Sequence, residues 1–240
     1  MIRPGTRAAA TAVLASVLGS LLLGGCVAGD PVAIGTSGVD GLEIPTPSAD
    51  PDDFVGEIDN PWLPLRQGSE WVYESPSGDA TTVTVTEETR EVQGVTTTGV
   101  REVTGVSDGP TTEETTRWYA QDAAGNVWLF GEDADGASSW EAGVDGAEAG
   151  MAMNAAPRVG DGYRSALAPG VAEDTVTVLS LDEAVNVDAD SYADVLQTEV
   201  TDGLEPGVVV RRYYARGTGL VFEETVGGLD PRELVEFTAG

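Results

Sequence analysis

Short runs in which apolar and polar residues alternate recur from residue 69 to the end of the chain. In one run, Trp71 and Tyr73 alternate with two glutamates and a valine. In another, Val83 and Val85 alternate with threonines. Because successive side chains of a strand point to opposite faces, this period of two is typical of antiparallel strands with one buried and one hydrated face.

Breaks that contain glycine separate neighbouring runs at 76–79, 123–126 and 216–219, and each has the length of a hairpin turn. The alternation of strand and helix that produces a parallel sheet is absent from the sequence. We therefore predict an all-β fold, a single antiparallel, strongly curved sheet or open barrel of about ten strands with little helix. The strand-like runs are 69–75, 80–88, 95–105, 116–121, 127–130, 138–142, 175–178, 193–201, 208–215, 220–225 and 232–238.

Three further segments yield local predictions. Residues 126–130 are apolar on both faces, as expected of a central strand. Residues 143–157 contain three glycines and predict a long loop, and 190–194 predicts a short helical turn. Tryptophans at positions 71, 118 and 128 are expected in the core, and Trp62, between two prolines, is expected to close one end of the sheet.

The N-terminus has the pattern of an export signal. Arg3 and Arg7 precede an uncharged stretch, 8–25, that is too short and too rich in glycine for a comfortable membrane span. The box Leu23-Gly24-Gly25-Cys26 at its end resembles the cleavage site of bacterial lipoprotein signal peptides. The resemblance implies cleavage before Cys26 and lipid attachment to its sulfur; the alternative is an ordinary secretory signal followed by a cysteine.

Cys26 is the only cysteine, so a disulfide within the chain is impossible, and lipid attachment accounts for its position. We predict a signal peptide over 1–25, a lipidated and disordered tether over 26–53, and an antiparallel β domain over 54–240. Two or more acyl chains would hold the protein stably at the membrane. The predicted location is the extracytoplasmic face of the cell membrane.

The composition excludes several kinds of chemistry. All 12 basic residues are arginines, there is no histidine, and the formal net charge is −29. Histidine general bases, Ser-His-Asp catalysis, lysine Schiff bases and zinc sites built on histidine or cysteine are therefore excluded. So negative a chain is not expected to bind nucleic acid. Its acidic clusters lack the spacing of a calcium loop, so we predict a hydrated surface, no metal and no cofactor.

Seven stretches carry a family resemblance: 59–65, 71–74, 118–122, 125–128, 140–143, 192–196 and 213–221. In this order they resemble a family of uncharacterised exported proteins of high-GC Gram-positive bacteria, many of them lipoproteins. The resemblance covers 54–240 and implies export, with no activity attached. The last two stretches are also similar to curved-sheet proteins of the lipoprotein-carrier type, whose concave face holds acyl chains, which implies a fold and no ligand.

Three hypotheses for function follow. The first is a non-catalytic envelope lipoprotein that binds an apolar ligand inside the curved sheet, or another envelope protein. The second is a hydrolase with two catalytic carboxylates, although Glu223 and Glu224 are consecutive on a strand and cannot form such a pair. The other acids that adjoin aromatic residues, and that such a hydrolase could use, are Glu113, Glu114 and Glu141. The third hypothesis is an interaction scaffold without a small ligand.

Replacing the lipidated side chain tests the predicted anchor. Cys26→Ser removes the sulfur that would carry the acyl chains, so we expect the variant in the soluble fraction and the wild type in the membrane fraction. Sedimentation of both proteins, followed by immunoblotting, measures the difference. A variant that still sediments with membranes contradicts the lipid anchor.

Overall fold

A computed structural model describes residues 50–106, 111–134, 139–228 and 231–240. The predicted signal peptide, Cys26 and all but the last four residues of the predicted tether lie outside these ranges. The described chain begins with a single 3₁₀ turn, Pro51–Asp53, and continues as strands. They are β1 Phe54–Val55, β2 Glu70–Glu74, β3 Asp79–Val92, β4 Val95–Val106, β5 Thr111–Asp122, β6 Val127–Ala134, β7 Trp140–Glu141, β8 Gly150–Met153, β9 Gly162–Arg164, β10 Asp174–Asn186, β11 Ser191–Asp202, β12 Val209–Ala215, β13 Gly219–Thr225 and β14 Arg232–Thr238.

All 14 strands belong to one antiparallel sheet, which confirms the predicted fold class. The order is β7-β6-β5-β4-β3-β2-β14-β13-β12-β11-β10-β9, with β1 beside β5 and β8 beside β6. Hairpins therefore make up most of the sheet, and the main departure from sequence order is the ladder that joins β14 to β2. The three predicted turns, 76–79, 123–126 and 216–219, each connect paired strands.

Three strands were not predicted: β1, β8 and β9. They have two, four and three residues, which is too short to show an alternating pattern. The loop predicted over 143–157 is therefore wrong in part, because β8 lies within it and pairs with β6. The helical turn predicted over 190–194 is also wrong. Those residues begin β11, and Asp194 has a φ of 53° next to the register shifts of the β10–β11 ladder.

The apolar residues of β6 are buried on both faces, as the sequence indicates, but the strand is not central. It lies next to the edge of the sheet, between β5 and the short strands β7 and β8. Its outer face is covered by the β3–β4 hairpin, whose ladder shifts register between Val85 and Thr89. Such a bulge bends a strand. The tip residues Val92 and Val95 pack there with Trp128 and Phe130 of β6.

The two edges of the sheet lie against each other. The backbone N–H of Glu148, between β7 and β8, donates to the carbonyl of Leu167 beyond β9. Gly150 of β8 is so close to the backbone of Ser165 that a Cβ at that position would overlap its carbonyl group. Strand β8 pairs with β6 and β9 pairs with β10, and no ladder joins β8 to β9. The sheet is therefore strongly curled without being closed.

The segment 56–69, here called the strap, crosses one end of the curled sheet. Trp62, which is 1% exposed, packs into the main core, and the guanidinium of Arg216 lies 3.9 Å from its ring centroid. The carbonyl of Pro61 accepts from the N–H of Gly217, and the indole of Trp71 donates to the carbonyl of Thr218. The strap is thereby held to the β12–β13 turn, and the predicted position of Trp62 at one end of the sheet is confirmed.

Within the described residues, no helix is long and apolar enough to cross a membrane.

Asn60 fixes the strap and offers a stability test. Its Oδ1 accepts from the N–H groups of Trp62 and Leu63, and its Nδ2 donates to the carbonyl of Gly125. Asn60→Ala leaves these buried groups unpaired, so we expect a loss of about 1–3 kcal/mol in the free energy of unfolding. Urea denaturation measures it. The exposed Asn186→Ala is the matched control, and equal midpoints for the two variants would contradict this role of Asn60.

Candidate functional site

The concave face of the curled sheet lines a partly open cavity of about 340 Å³, to which every strand from β2 to β14 contributes a side chain or backbone atom. This volume lies within the range of small-molecule sites, roughly 300–1,000 Å³. The cavity has two unlike walls. One is apolar and lies under the strap, and the other carries ionised side chains further along the same strands.

The apolar wall is built where the strap meets the sheet. Leu63 and Leu65 enter from the strap, and Trp71 and Leu220 enter from β2 and β13. Gly219 begins β13 with a φ of 94°, and an added Cβ would lie 3.6 Å from the indole nitrogen of Trp71. The strap therefore packs closely on the β12–β13 turn and closes the apolar end.

The charged wall is a continuous row of six alternating side chains, here called the charged row. From β6 to β12 the order is Glu132, Arg117, Glu102, Arg232, Glu223 and Arg212. The N···O distances along it are 2.5, 2.7, 2.7, 3.1 and 2.6 Å. All six side chains line the cavity. The row is electrically neutral as a unit, because each guanidinium is matched by one carboxylate.

Strand register explains most of the row. Glu132 is directly opposite Arg117, and Glu223 is directly opposite both Arg212 and Arg232, so these side chains share the concave face. Glu102 is opposite Thr115 and meets Arg117 on the diagonal. Cross-strand neighbours of opposite charge therefore supply four of the five links.

The link between Glu102 and Arg232 has a different origin. β4 and β14 are separated by β3 and β2, and in a flat sheet strands three positions apart are about 14 Å apart. Their side chains nevertheless meet at 2.7 Å, and the Arg232 guanidinium lies 5.1 Å from the ring centroid of Tyr73 on β2. Both side chains therefore lean across the intervening strands on the inside of the curve.

The ion pairs determine the protonation state of the carboxylates in the charged row. Burial alone would raise the pKa of Glu102, but the guanidiniums of Arg117 and Arg232 outweigh it and lower this pKa to about 2. Burial likewise acts to raise the pKa of Glu223, and Arg212 and Arg232 lower it overall. Both carboxylates are therefore ionised at neutral pH, and neither has the raised pKa of a general acid.

Two carboxylates of the cavity lie outside the row. Asp174 of β10 and Asp202 of β11 are directly opposite each other in the ladder, and both line the cavity. Burial raises the pKa of Asp174, Arg212 lowers it, and Asp202 raises it further. The cavity thus holds five carboxylates and three guanidiniums.

Tyr73, Tyr119 and Tyr214 are three of the four tyrosines that add phenol groups to the wall. Burial raises the pKa of Tyr119 to about 12 and raises the pKa of Tyr73 and Tyr214 as well. The hydroxyl of Tyr73 donates to the carbonyl of Leu220. All three are therefore neutral at physiological pH and serve as polar or aromatic surface.

The aromatic and acidic residues singled out in the sequence divide between the two faces. Of the tryptophans at 71, 118 and 128, all buried, Trp71 lines the cavity. Trp118 lies on the outer face, where the guanidinium of Arg90 is 4.2 Å from its ring centroid. Trp128 packs on the outer face of β6 with Val92 and Val95. Glu223 faces the cavity, whereas Glu224 accepts from the hydroxyl of Tyr213 on the outer face.

The charged row is the part that sequence reasoning missed. Its arginines are scattered over β5, β12 and β14, and an alternating pattern shows which face a residue takes without showing which face is concave. Arg211 and Arg212 illustrate this, because they are adjacent and point to opposite sides. In the part of the chain that the structure describes, no group of three or more acidic or cysteine side chains could hold a metal ion.

Comparisons with known proteins give two structural likenesses. No protein-family model and no curated protein matches the chain. A "putative exported protein with YmcC-like fold" from Bacteroides fragilis NCTC 9343 is 12% identical, with a TM-score of 0.45 over 74% of this chain and 99% of that chain. A "putative lipoprotein" from Parabacteroides distasonis ATCC 8503 is 10% identical, with a TM-score of 0.42 over 74% and 98%. The resemblance to proteins of high-GC Gram-positive bacteria stays a prediction.

The row predicts a specific dependence of stability on pH. The folded-state pKa of Glu102 is about 2 and its ordinary value is 4.5, so its ion pairs stabilise the fold above pH 4.5 and lose this effect as the pH falls to 2. The shift corresponds to about 3 kcal/mol. The difference in unfolding free energy between wild type and Glu102→Gln is therefore expected to shrink by about that amount from pH 6 to pH 2.

Urea denaturation at fixed pH values measures this difference. Glu114→Gln is the matched control, because Glu114 pairs with Arg101 on the exposed surface, where water screens the interaction. A difference for Glu102→Gln that does not change with pH, or that matches the control, would contradict the assignment.

Proposed function

We propose that this chain is an extracytoplasmic lipoprotein that binds one small amphipathic molecule in the cavity and does not catalyse its conversion. The observation that carries the proposal is the partly open cavity with one apolar and one charged wall. An apolar ligand alone would leave the charged row facing hydrocarbon, which is unfavourable. A molecule with an apolar body and a polar end matches both walls. The lipid on Cys26 would keep this site at the membrane surface.

The carboxylates favour binding over hydrolysis. A glycosidase-type pair needs one carboxylic acid with a raised pKa and one free carboxylate. Glu102 and Glu223 each form ion pairs with two arginines, and both have lowered pKa values. Glu114 and Glu141 pair with Arg101 and Arg90 outside the cavity. A hydrolase in this cavity would therefore have to use Asp174, whose pKa is raised, with Asp202 directly opposite it. The ionised row is suited to fix the orientation of a polar group.

The volume also favours a small ligand over a protein partner. The cavity is a concavity within the sheet, whereas a stable protein interface needs about 800 Å² on each partner. Eight large apolar residues are exposed among those described, and three of them, Leu204, Val208 and Val226, lie at one end of β11, β12 and β13. A patch of three residues is smaller than such an interface, so a scaffold without a small ligand has less support from the described surface.

Native mass spectrometry tests the proposal directly. We expect the exported protein carrying Cys26→Ser, purified gently and without detergent, to retain an extra mass of small-molecule size. Ala152→Phe adds a ring to a residue that lines the cavity, so the extra mass is expected to disappear. Circular dichroism reports whether the variant is folded.

Ala184→Phe is the matched control, since Ala184 is an exposed position of β10. A wild-type protein that carries no extra mass under several growth conditions would contradict small-molecule binding. Cross-linking at the membrane would then be the way to find a protein partner.

A further inference from the structure

The charge balance of the cavity restricts the kind of polar group that it can receive. The charged row contains three guanidiniums and three carboxylates and is neutral. Asp174 and Asp202 are additional, so the described lining has two more negative than positive side chains. An anionic group would enter against this excess, whereas a cation would neutralise part of it.

Asp174 is the carboxylate placed to receive a cation. Its backbone carbonyl accepts from the N–H groups of Ser165 and Ala166, but among the described residues its side chain has neither a hydrogen bond nor an ion pair within 4 Å. Arg212 acts on it only through its charge, since the Nε of Arg212 donates to Glu223. The oxygens of Asp174 are therefore free to accept hydrogen bonds inside the cavity.

A second polar group of the lining also has no partner. Thr198 is 1% exposed and lines the cavity on β11, directly opposite Arg212. Its hydroxyl makes no hydrogen bond to the described part of the protein. A buried hydroxyl without a partner is costly, and native structures rarely retain one without a ligand or water. Thr198 is opposite Val178 in the β10–β11 ladder, four residues along the strand from Asp202, so it lies deeper along the same wall of the cavity than Asp174.

An aromatic ring lies next to Asp174. Tyr163 of β9 is directly opposite Val176, the next inward residue of β10 after Asp174, and it lines the cavity. Burial raises the pKa of Tyr163, so the ring is uncharged at neutral pH. A cation beside a carboxylate and near the face of a tyrosine gains from both interactions.

We propose that the polar end of the bound molecule is an amine cation, held by Asp174 with Asp202 and Tyr163 beside it, while its apolar body lies under the strap. This inference rests on the proposed binding function and adds the chemical class of the ligand. It differs from the acyl chain or neutral apolar ligand that a curved sheet alone suggests, because it follows from the unpaired carboxylate of Asp174; the Oδ1 of Asp202 already accepts from the N–H of Leu204.

The size of the cavity selects a probe. One water molecule occupies about 30 Å³ in the liquid, so the cavity holds about 11 groups of that size. Decylammonium has a ten-carbon chain and one nitrogen and matches this volume. Decanoate and 1-decanol carry the same chain length with an anionic and a neutral end, so the three probes differ in their polar group.

Isothermal titration of the exported protein carrying Cys26→Ser, with each probe below its micelle concentration, tests the inference. We expect decylammonium to bind at least about tenfold more tightly than decanoate and 1-decanol, which is the size of effect that a charged hydrogen bond provides. Asp174→Asn and Asp202→Asn are expected to reduce decylammonium affinity, with the larger loss of about tenfold at Asp174. Circular dichroism verifies that both variants are folded.

The matched control removes the contribution of the overall charge. Asp182→Asn deletes a carboxylate from an exposed position of the same strand, β10, and produces the same net charge as Asp174→Asn. It is expected to bind decylammonium like the parent protein at about 0.15 M salt, where long-range attraction is largely screened. An equal loss in Asp182→Asn and Asp174→Asn would overturn the inference.

Three further outcomes separate the inference from the function on which it rests. If decanoate or 1-decanol binds as tightly as decylammonium, the cavity binds small molecules but the amine assignment is wrong. If none of the three probes binds while native mass spectrometry shows a retained extra mass, the amine assignment is wrong and the binding function stands. If no probe binds and no mass is retained, both fall.

Discussion

Curvature is the constraint on which the rest of this structure depends. A sheet of 14 strands without a packed helix layer can bury a face only by curling until that face covers itself. The ion pair of Glu102 and Arg232 lies on the inside of this curve and joins side chains from strands three positions apart. The strap then covers one open end, with Trp62 in the core. The cavity is the space that these packed side chains leave unfilled.

A row of buried charges would destabilise the fold if any member lacked a partner. Here the carboxylates of Glu102 and Glu223 each bridge two guanidiniums, so the charges compensate one another in a half-buried region. Ionic rows of this kind contribute little net stability compared with apolar packing, but they fix which side chains can lie together. The row therefore forms the polar wall of the cavity. Asp174 differs from the members of the row because its side chain has no ion pair among the described residues.

The alternation of residues was sufficient to predict the fold class and most of the strands, and the two flanking prolines indicated the position of Trp62 at one end of the sheet. It was insufficient for β8 and β9, whose few residues carry no period, and for the turn at 190–194, where a left-handed Asp194 lies inside a strand. The cavity could not be predicted, because Arg117, Arg212 and Arg232 become neighbours only when distant strands curl together. The proposed lipid attachment at Cys26 depends on sequence alone.

The meeting of the two sheet edges has a mechanical consequence. β8 and β9 have no ladder between them, so the backbones of the two edges are joined by the isolated antiparallel bridge of Glu148 with Leu167 and by the close contact of Gly150 with Ser165. This seam has far fewer backbone hydrogen bonds than the long ladders β3–β4 and β10–β11. Met153 and Tyr163, one on each edge, line the cavity beside the seam, so a separation of the edges would open the cavity between them.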